Sequence, residues 1–236
     1  LIVTKFGGSA LGADGIGIPE IIQRIIDLKK DSKIIAVFSA PLTIHNEKKR
    51  SLTDIILEQG KNAENGIKPS LDIVKSSYQK ILEMVNSENQ EDCKNVINSH
   101  LILSQNALDE AYENKEFANE VRSRALAFSG EILISHVMNY ILRSNSIITD
   151  AVKFEDWPII TDNNIESTNF LSSESREEMQ KIAELVDKNE VVTIGGFIGK
   201  TVDNVTTTFE RGGSDRTAAD LGILFHKKYE TSIDFE

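Results

Sequence analysis

The chain has 236 residues, a length that suits one large α/β domain or one domain carrying an elaborate insertion. Hydrophobic residues make up 40% of it, with 14 glycines in addition, which is enough apolar surface for a core and excludes disorder as a whole-chain description. Lys and Arg number 26 against 37 Asp and Glu, a net charge of −11 that repels polyanions. Nucleic acid is therefore not an expected partner, and a site for an anionic substrate must build a local positive field against the global one.

In chain order, Ile2-Val-Thr-Lys-Phe6 reads as a short buried strand running into Gly7-Gly-Ser-Ala10. Pro19 sits where a first helical position falls, with Ile21, Ile22, Ile25, Ile26 and Leu28 following at helical spacing. Ile34-Ile-Ala-Val-Phe38 is a second β-rich run ending at Ser39-Ala-Pro41, so the order strand, Gly loop, helix, strand predicts a βαβ unit and a parallel sheet. Residues 42 to 50 are polar and basic and predict a mobile loop. From Thr53 to about Arg143 the apolar spacing is helical throughout, with no strand signal. Ser146-Ile-Ile-Thr-Asp150 reads as a strand, Ser175 with Glu178 as a capping box opening a helix, and Val191-Val-Thr-Ile194 as a further strand. Lys200-Thr-Val-Asp-Asn204 predicts a hairpin turn before β-rich Thr206 to Phe209, and Arg211-Gly-Gly-Ser-Asp215 precedes a last helix through Ala218, Leu221 and Leu224.

Cys93 is the only cysteine, which excludes an intramolecular disulfide and a cysteine-based zinc site and fits a reducing, cytoplasmic setting. His45, His100, His136 and His226 show no ligand spacing, so no protein-held metal is expected. No uninterrupted apolar run approaches the ~20 residues of a membrane span, and no membrane partner is expected. The segment Leu1-Ile-Val-Thr-Lys5 has neither the n-region nor the cleavage pattern of a signal peptide.

Three glycine-containing turns each follow an expected strand: Lys5-Phe-Gly-Gly-Ser9, Gly195-Gly-Phe-Ile-Gly199 and Arg211-Gly-Gly-Ser-Asp215. Loops at the carboxyl ends of parallel strands gather on one sheet edge, where ligands bind. Glycine admits close backbone approach, and consecutive N–H groups converge on anions. Ser9 and Ser214 each sit just ahead of an expected helix, whose N-terminus favours negative charge. With Lys5 and Arg211 beside Gly pairs, the pattern points to an anionic ligand carrying a phosphate and a carboxylate. Each Gly pair read singly is as readily a tight turn, and each Ser or Asp a helix cap. The first loop is neither Gly-x-x-x-x-Gly-Lys-[Ser/Thr] nor Gly-x-Gly-x-x-Gly, which removes the two commonest phosphate-loop families.

Lys5-Phe-Gly-Gly-Ser9, Ser39, Ser129-Gly-Glu131, Gly196-Phe-Ile-Gly199 and Thr206-Thr-Thr through Arg211-Gly-Gly-Ser-Asp215, in this order, resemble the aspartate kinases of the amino-acid kinase family. The resemblance covers nearly the whole chain. It implies a three-layer α/β/α sandwich with a mostly parallel central sheet and a helical insertion, here residues 53–128. It also implies ATP-dependent phosphorylation of the β-carboxylate of L-aspartate to 4-phospho-L-aspartate, with Mg²⁺, as the first step towards lysine, threonine and methionine; relatives are commonly homodimers.

The site roles follow from the same resemblance. Lys5, with the amides of Gly7 and Gly8 and help from Ser9, would hold the transferring phosphoryl group. Arg211 would grip the substrate α-carboxylate and Glu131 its α-ammonium. Ser39, Thr53, Ser214 and Asp215 would complete the amino-acid pocket, Phe197 would wall it, and Asp215 would serve beside Lys5 in catalysis. Asp150 resembles an acid that orients the site. Physical chemistry agrees with the assignment: a carboxylate is ionised at neutral pH and needs no general base, so the task is positioning and neutralisation.

Gly195 stands where the family usually has Gln, and residues 150–154 match poorly. The family's adenine-holding segment and its regulatory ACT domains have no counterpart up to Glu236, so the expectation is most of an aspartate site without a full ATP site. Two alternatives remain: another carboxylate kinase of the same fold, and a non-catalytic amino-acid-binding regulatory subunit.

Overall fold

The computed structural model describes residues 1–210 and 212–236. The chain opens with β1 (Ile2–Phe6), a short α1 (Gly8–Leu11), α2 (Ile18–Leu28) and β2 (Ile34–Phe38). A hairpin follows, β3 (Leu42–His45) and β4 (Lys48–Ser51), and then α3 (Leu52–Glu64), α4 (Asp72–Leu82), α5 (Gln90–Asn114), α6 (Asn119–Ser129) and α7 (Glu131–Ser144). The remainder is β5 (Thr149–Ala151), α8 (Ser172–Lys188), β6 (Val191–Gly195), the hairpin β7 (Ile198–Lys200) and β8 (Thr206–Thr208), α9 (Gly213–Phe225) and β9 (Ser232–Phe235).

Five strands form one sheet in the order β5-β6-β2-β1-β9, every neighbour parallel. The central β2 and β6 are buried at every position, which is why both read as continuous apolar runs rather than alternating ones. Their side chains feed two cores. Phe6, Ile34, Ala36 and Phe38 point into one with α2, α3, α5 and α7; Val3, Ile35, Val37, Val192 and Ile194 point into the other with α8 and α9. The molecule is thus a three-layer α/β/α sandwich, as the resemblance implies. Phe6 and Phe38 stack at 5.5 Å between centroids just below the sheet edge where the loops emerge. Truncating either to Ala is expected to cost about 3–5 kcal/mol.

Several local expectations are corrected. Residues 42 to 50 form an antiparallel hairpin, not a loop; its turn is made by Asn46 and Glu47 with φ of 50° and 62°. Ser175 is no cap, because α8 begins at Ser172; the Ser175 hydroxyl instead accepts from the Ile160 N–H at 2.8 Å. Ser9 and Ser214 lie inside α1 and α9, whose N-caps are Gly7 and Gly212. The third strand is shorter than expected, Thr149–Ala151. Residues 232–235, for which the sequence carries no element assignment, form a strand that pairs with β1. The continuous stretch Asn119–Ser144 is long and apolar enough, by length and composition, to cross a bilayer, and 83% of its most apolar window is buried inside the molecule.

Candidate active site

The strand register assembles the site. Phe6 pairs with Phe38, and Phe38 with Gly195, so the loops after β1, β2 and β6 leave the sheet side by side. They can lie that close because of glycine. A Cβ on Gly8 would stand 2.6 Å from the Ala40 carbonyl oxygen, and one on Gly196 would stand 2.6 Å from the Ser214 Cβ. Neither residue has a positive φ; what both provide is close approach of backbone to its neighbour. Phe197, by contrast, holds φ at 67°, a strained setting for a bulky residue. Its backbone is fixed there by the Thr217 hydroxyl accepting from its N–H at 3.0 Å and by its carbonyl accepting from the Phe209 N–H at 2.9 Å.

These loops and the N-termini of α3, α7 and α9 enclose a cleft of about 870 Å³. Of the residues expected in a site, Lys5, Ser39, Thr53, Glu131, Phe197, Ser214 and Asp215 line it. Gly7 sits beside it, with the Lys5 ammonium 3.1 Å from where its Cβ would be, but its N–H is taken by the Glu236 carbonyl at 3.3 Å. Gly8 and Ser9 do not line the cleft: Gly8 packs on the Ala40 loop, and Ser9 is carried inside α1. Arg211 lies outside the described residues; Glu210 and Gly212 on either side of it line the cleft. Asp150 belongs elsewhere, on β5, where it pairs with Arg143 at 2.5 Å.

Lys5 reaches the cleft from the end of β1 and pairs with Asp215 in the first turn of α9 at 2.9 Å. Glu131 is the first residue of α7 and is buried. One carboxylate oxygen accepts from the Ala40 N–H at 3.4 Å; the other has no partner. Burial pushes its carboxyl up to about 7, against the weaker lowering effect of its own N–H and that of Ala40. A buried carboxylate oxygen without a donor is costly unless a cation supplies one.

The sequence reading missed the far rim. Arg122 on α6 pairs with Glu166 at 2.9 Å, and Ser167 donates to Glu210 at 2.6 Å; all four line the cleft. The loop carrying Glu166 is shaped by Asp162, whose carboxylate accepts from the Asn169 side chain and backbone and from the Asn164 N–H. Those hydrogen bonds, led by the Asn169 side chain, hold the Asp162 carboxyl down at about 2. Nothing local in the sequence marks Arg122 or Glu166, because their pairing is a tertiary event between residues 44 apart.

Among the described residues, carboxylates outnumber cations in the cleft; Arg211, the second cation expected there, lies outside them. Among the described lining residues, Lys5 and Arg122 face Asp54, Glu131, Glu166, Glu210 and Asp215, and both cations are already paired with carboxylates. Among the described lining residues no cation is left unpaired to neutralise a carboxylate and a polyphosphate meeting here. The described residues offer no cluster of three or more side chains fit to hold a metal. They do fit a hard divalent ion bound mainly by phosphate oxygens and water with one or two carboxylates from this wall.

With fold and cleft in view, comparison with known proteins defines the class. Residues 1–229 match the amino acid kinase family, and the chain belongs to that family. Within it, the chain is similar to a bifunctional aspartokinase/homoserine dehydrogenase of Arabidopsis thaliana, 23% identical over 97% of this chain and 24% of that protein. A bifunctional aspartokinase/homoserine dehydrogenase of Buchnera aphidicola is 27% identical over 92% of this chain and 26% of its own length. Among solved structures, E. coli aspartokinase III in complex with aspartate and ADP superposes over all of this chain and 49% of its own, with a TM-score of 0.74 and 18% identity. The same enzyme with lysine and aspartate gives a TM-score of 0.76 at 20% identity, covering 48% of its length. The chain therefore spans about a quarter of those curated relatives and about half of that solved structure.

Proposed function

We propose that this chain carries the amino-acid site of an aspartate kinase, which transfers the γ-phosphoryl group of ATP to the β-carboxylate of L-aspartate. The observation that carries the reading is the unpartnered, buried Glu131 oxygen in a cleft that also holds the Lys5–Asp215 pair. The α-ammonium of an amino acid supplies the missing donor to Glu131, while Lys5 meets the reacting end. Residues 1–236 then act as the catalytic domain, with the helical segment 53–128 as its insertion.

The chemistry asks little beyond placement. The aspartate β-carboxylate oxygen attacks the γ-phosphorus, the bond to the ADP oxygen breaks, and charge spreads over the phosphoryl oxygens between them. Lys5 sits where it can neutralise part of that charge once Asp215 shares it. Mg²⁺ accompanying the nucleotide supplies further neutralisation when bound. Ser39, Thr53 and Ser214 offer hydroxyls around the amino acid, and Phe197 closes one wall. An allied kinase acting on a carboxylate without an α-ammonium would keep Lys5 but have no use for the buried Glu131 oxygen.

The test is a hydroxamate assay on the protein with MgATP, hydroxylamine and either L-aspartate, L-glutamate or succinate. Product with aspartate alone, abolished by Lys5→Ala with folding retained, supports the reading. Product with another carboxylate instead makes this a different kinase of the fold. No turnover with any of them by the full-length protein, combined with tight aspartate binding, makes it an amino-acid-binding module.

A further inference from the structure

Glu131 is buried at a point where three separate elements meet the Gly130–Glu131 turn. The loop after β2 supplies the Ala40 N–H to its carboxylate. From the end of β6, Gly195 lies so near that a Cβ there would stand 2.6 Å from the Glu131 carbonyl oxygen. This contact explains why glycine replaces the family's usual Gln at 195: the turn sits against the strand with no room for a side chain. The third element is α4 of the helical segment. Its Tyr78, fully buried, donates its hydroxyl to the Gly130 carbonyl at 3.1 Å.

Gly130 is the hinge of this arrangement, since it ends α6 and begins α7 at once. Its carbonyl accepts from the Ile134 N–H at 2.9 Å as well as from Tyr78. A carbonyl has two lone pairs, and helix geometry needs only one of them. The second bond is therefore not required for helix formation. It comes from a helix 52 residues away in sequence, and a phenol buried without that acceptor would be costly. The Tyr78 hydroxyl also lies close enough to Glu131 for the carboxylate's charge, after burial, to push its own ionisation well above the usual phenol range.

We propose that Tyr78 is a positioning residue for the substrate-ammonium site: by fixing the Gly130 carbonyl from inside the helical insertion, it aims the Glu131 carboxylate into the cleft. The insertion thereby has a task in substrate recognition besides covering the core. The proposal rests on the assignment of Glu131 to an amino-acid ammonium, and its test can fail separately from that assignment.

The variant is Tyr78→Phe, which keeps the packed ring and leaves the Gly130 carbonyl its Ile134 bond. Glu131 is followed by carboxyl carbon NMR, a readout that needs no substrate. The expected result is a titration midpoint moved by about half a pH unit or more, with a melting temperature within about 2 °C of the parent. In turnover, KM for aspartate should rise about five-fold while KM for MgATP and kcat stay within about two-fold, the size of one lost hydrogen bond. An unmoved Glu131 midpoint overturns the proposal whatever the kinetics show. A fall in kcat and melting temperature with KM for aspartate unchanged also overturns it, since that is the pattern of a purely structural role. If the midpoint moves but the parent protein shows no aspartate-dependent turnover, Tyr78 still positions Glu131 and only the substrate assignment falls.

Discussion

At the scale of single residues, Glu131 is held at a cost that its function explains. Its carboxyl titrates at about 7 in the fold, against 4.5 for a free glutamate. The folded state therefore binds more protons than the unfolded chain between those values, and stability falls as pH rises through that window, by on the order of 3 kcal/mol. Glu131→Gln is expected to raise the urea midpoint at pH 8 and leave it nearly unchanged at pH 4.5; equal midpoints at pH 8 would contradict this. A cation at the same oxygen favours the ionised form. Aspartate binding near pH 6.5 is accordingly expected to release a proton, seen as a buffer-dependent calorimetric heat. Lys5 and Asp215 form the second pair whose separation is informative. Asp215→Asn should leave folding intact yet lower kcat by about ten-fold or more, through a lysine no longer held in place.

Lys5, Phe197, Ser214 and Asp215 are legible in the sequence because each lies in or beside a glycine-containing turn after a strand, whereas Ser39, Thr53 and Glu131 follow only from the resemblance. Their pairing is not legible. Lys5 and Asp215 are 210 residues apart, and only the packing of α9 on β1 joins them. The Arg122–Glu166 rim and the Tyr78 hydroxyl were invisible for the same reason, since neither carries a local pattern.

Among the elements, the buried strands were the easiest to read. β1, β2 and β6 are runs of β-branched and aromatic residues whose registers then place three loops together. The elements that escaped are those whose side chains face water. β4 reads Lys-Lys-Arg-Ser and has no buried position; it is a strand only because β3 pairs with it. Its turn uses Asn46 and Glu47 at positive φ without a glycine, so the usual hairpin signal is missing. β9 is largely exposed as well and takes its register from β1. Of the glycines that signal turns, Gly8 and Gly196 act by close approach, whereas Gly212 supplies a φ of 85°. Gly8→Ala, which drives a Cβ to 2.6 Å from the Ala40 carbonyl oxygen, is expected to cost about 1–3 kcal/mol in chemical denaturation and to lower activity more than stability. An alanine variant with unchanged stability and turnover would show that the two loops are not held together as described.

At the scale of the whole molecule, the net charge of −11 continues into the cleft, where carboxylates outnumber the described cations. Turnover should therefore depend steeply on divalent cation. A second whole-molecule effect comes from His100 and His136, whose rings lie 5.0 Å apart between α5 and α7. Burial, then His100 and then Lys153, push the His136 imidazole down to about 3, and burial lowers His100 too. His136 charges only near pH 3 in the fold but freely in the unfolded chain, so the stability it allows above pH 6.5 is lost as pH falls towards 3, and the lowering at His100 acts in the same direction. Glu131 acts in the opposite direction between pH 4.5 and 7. His136→Gln should flatten the acid limb of the urea stability curve; an acid limb as steep as that of the parent would place the loss elsewhere.

The most direct measurement is calorimetric binding of L-aspartate and of succinate, which is aspartate without its ammonium group, to the parent protein and to Glu131→Gln. The account predicts that the parent prefers aspartate by about 30-fold or more and that the variant loses most of that preference. Succinate binding to the parent as tightly as aspartate, or an undiminished preference in the variant, would contradict it.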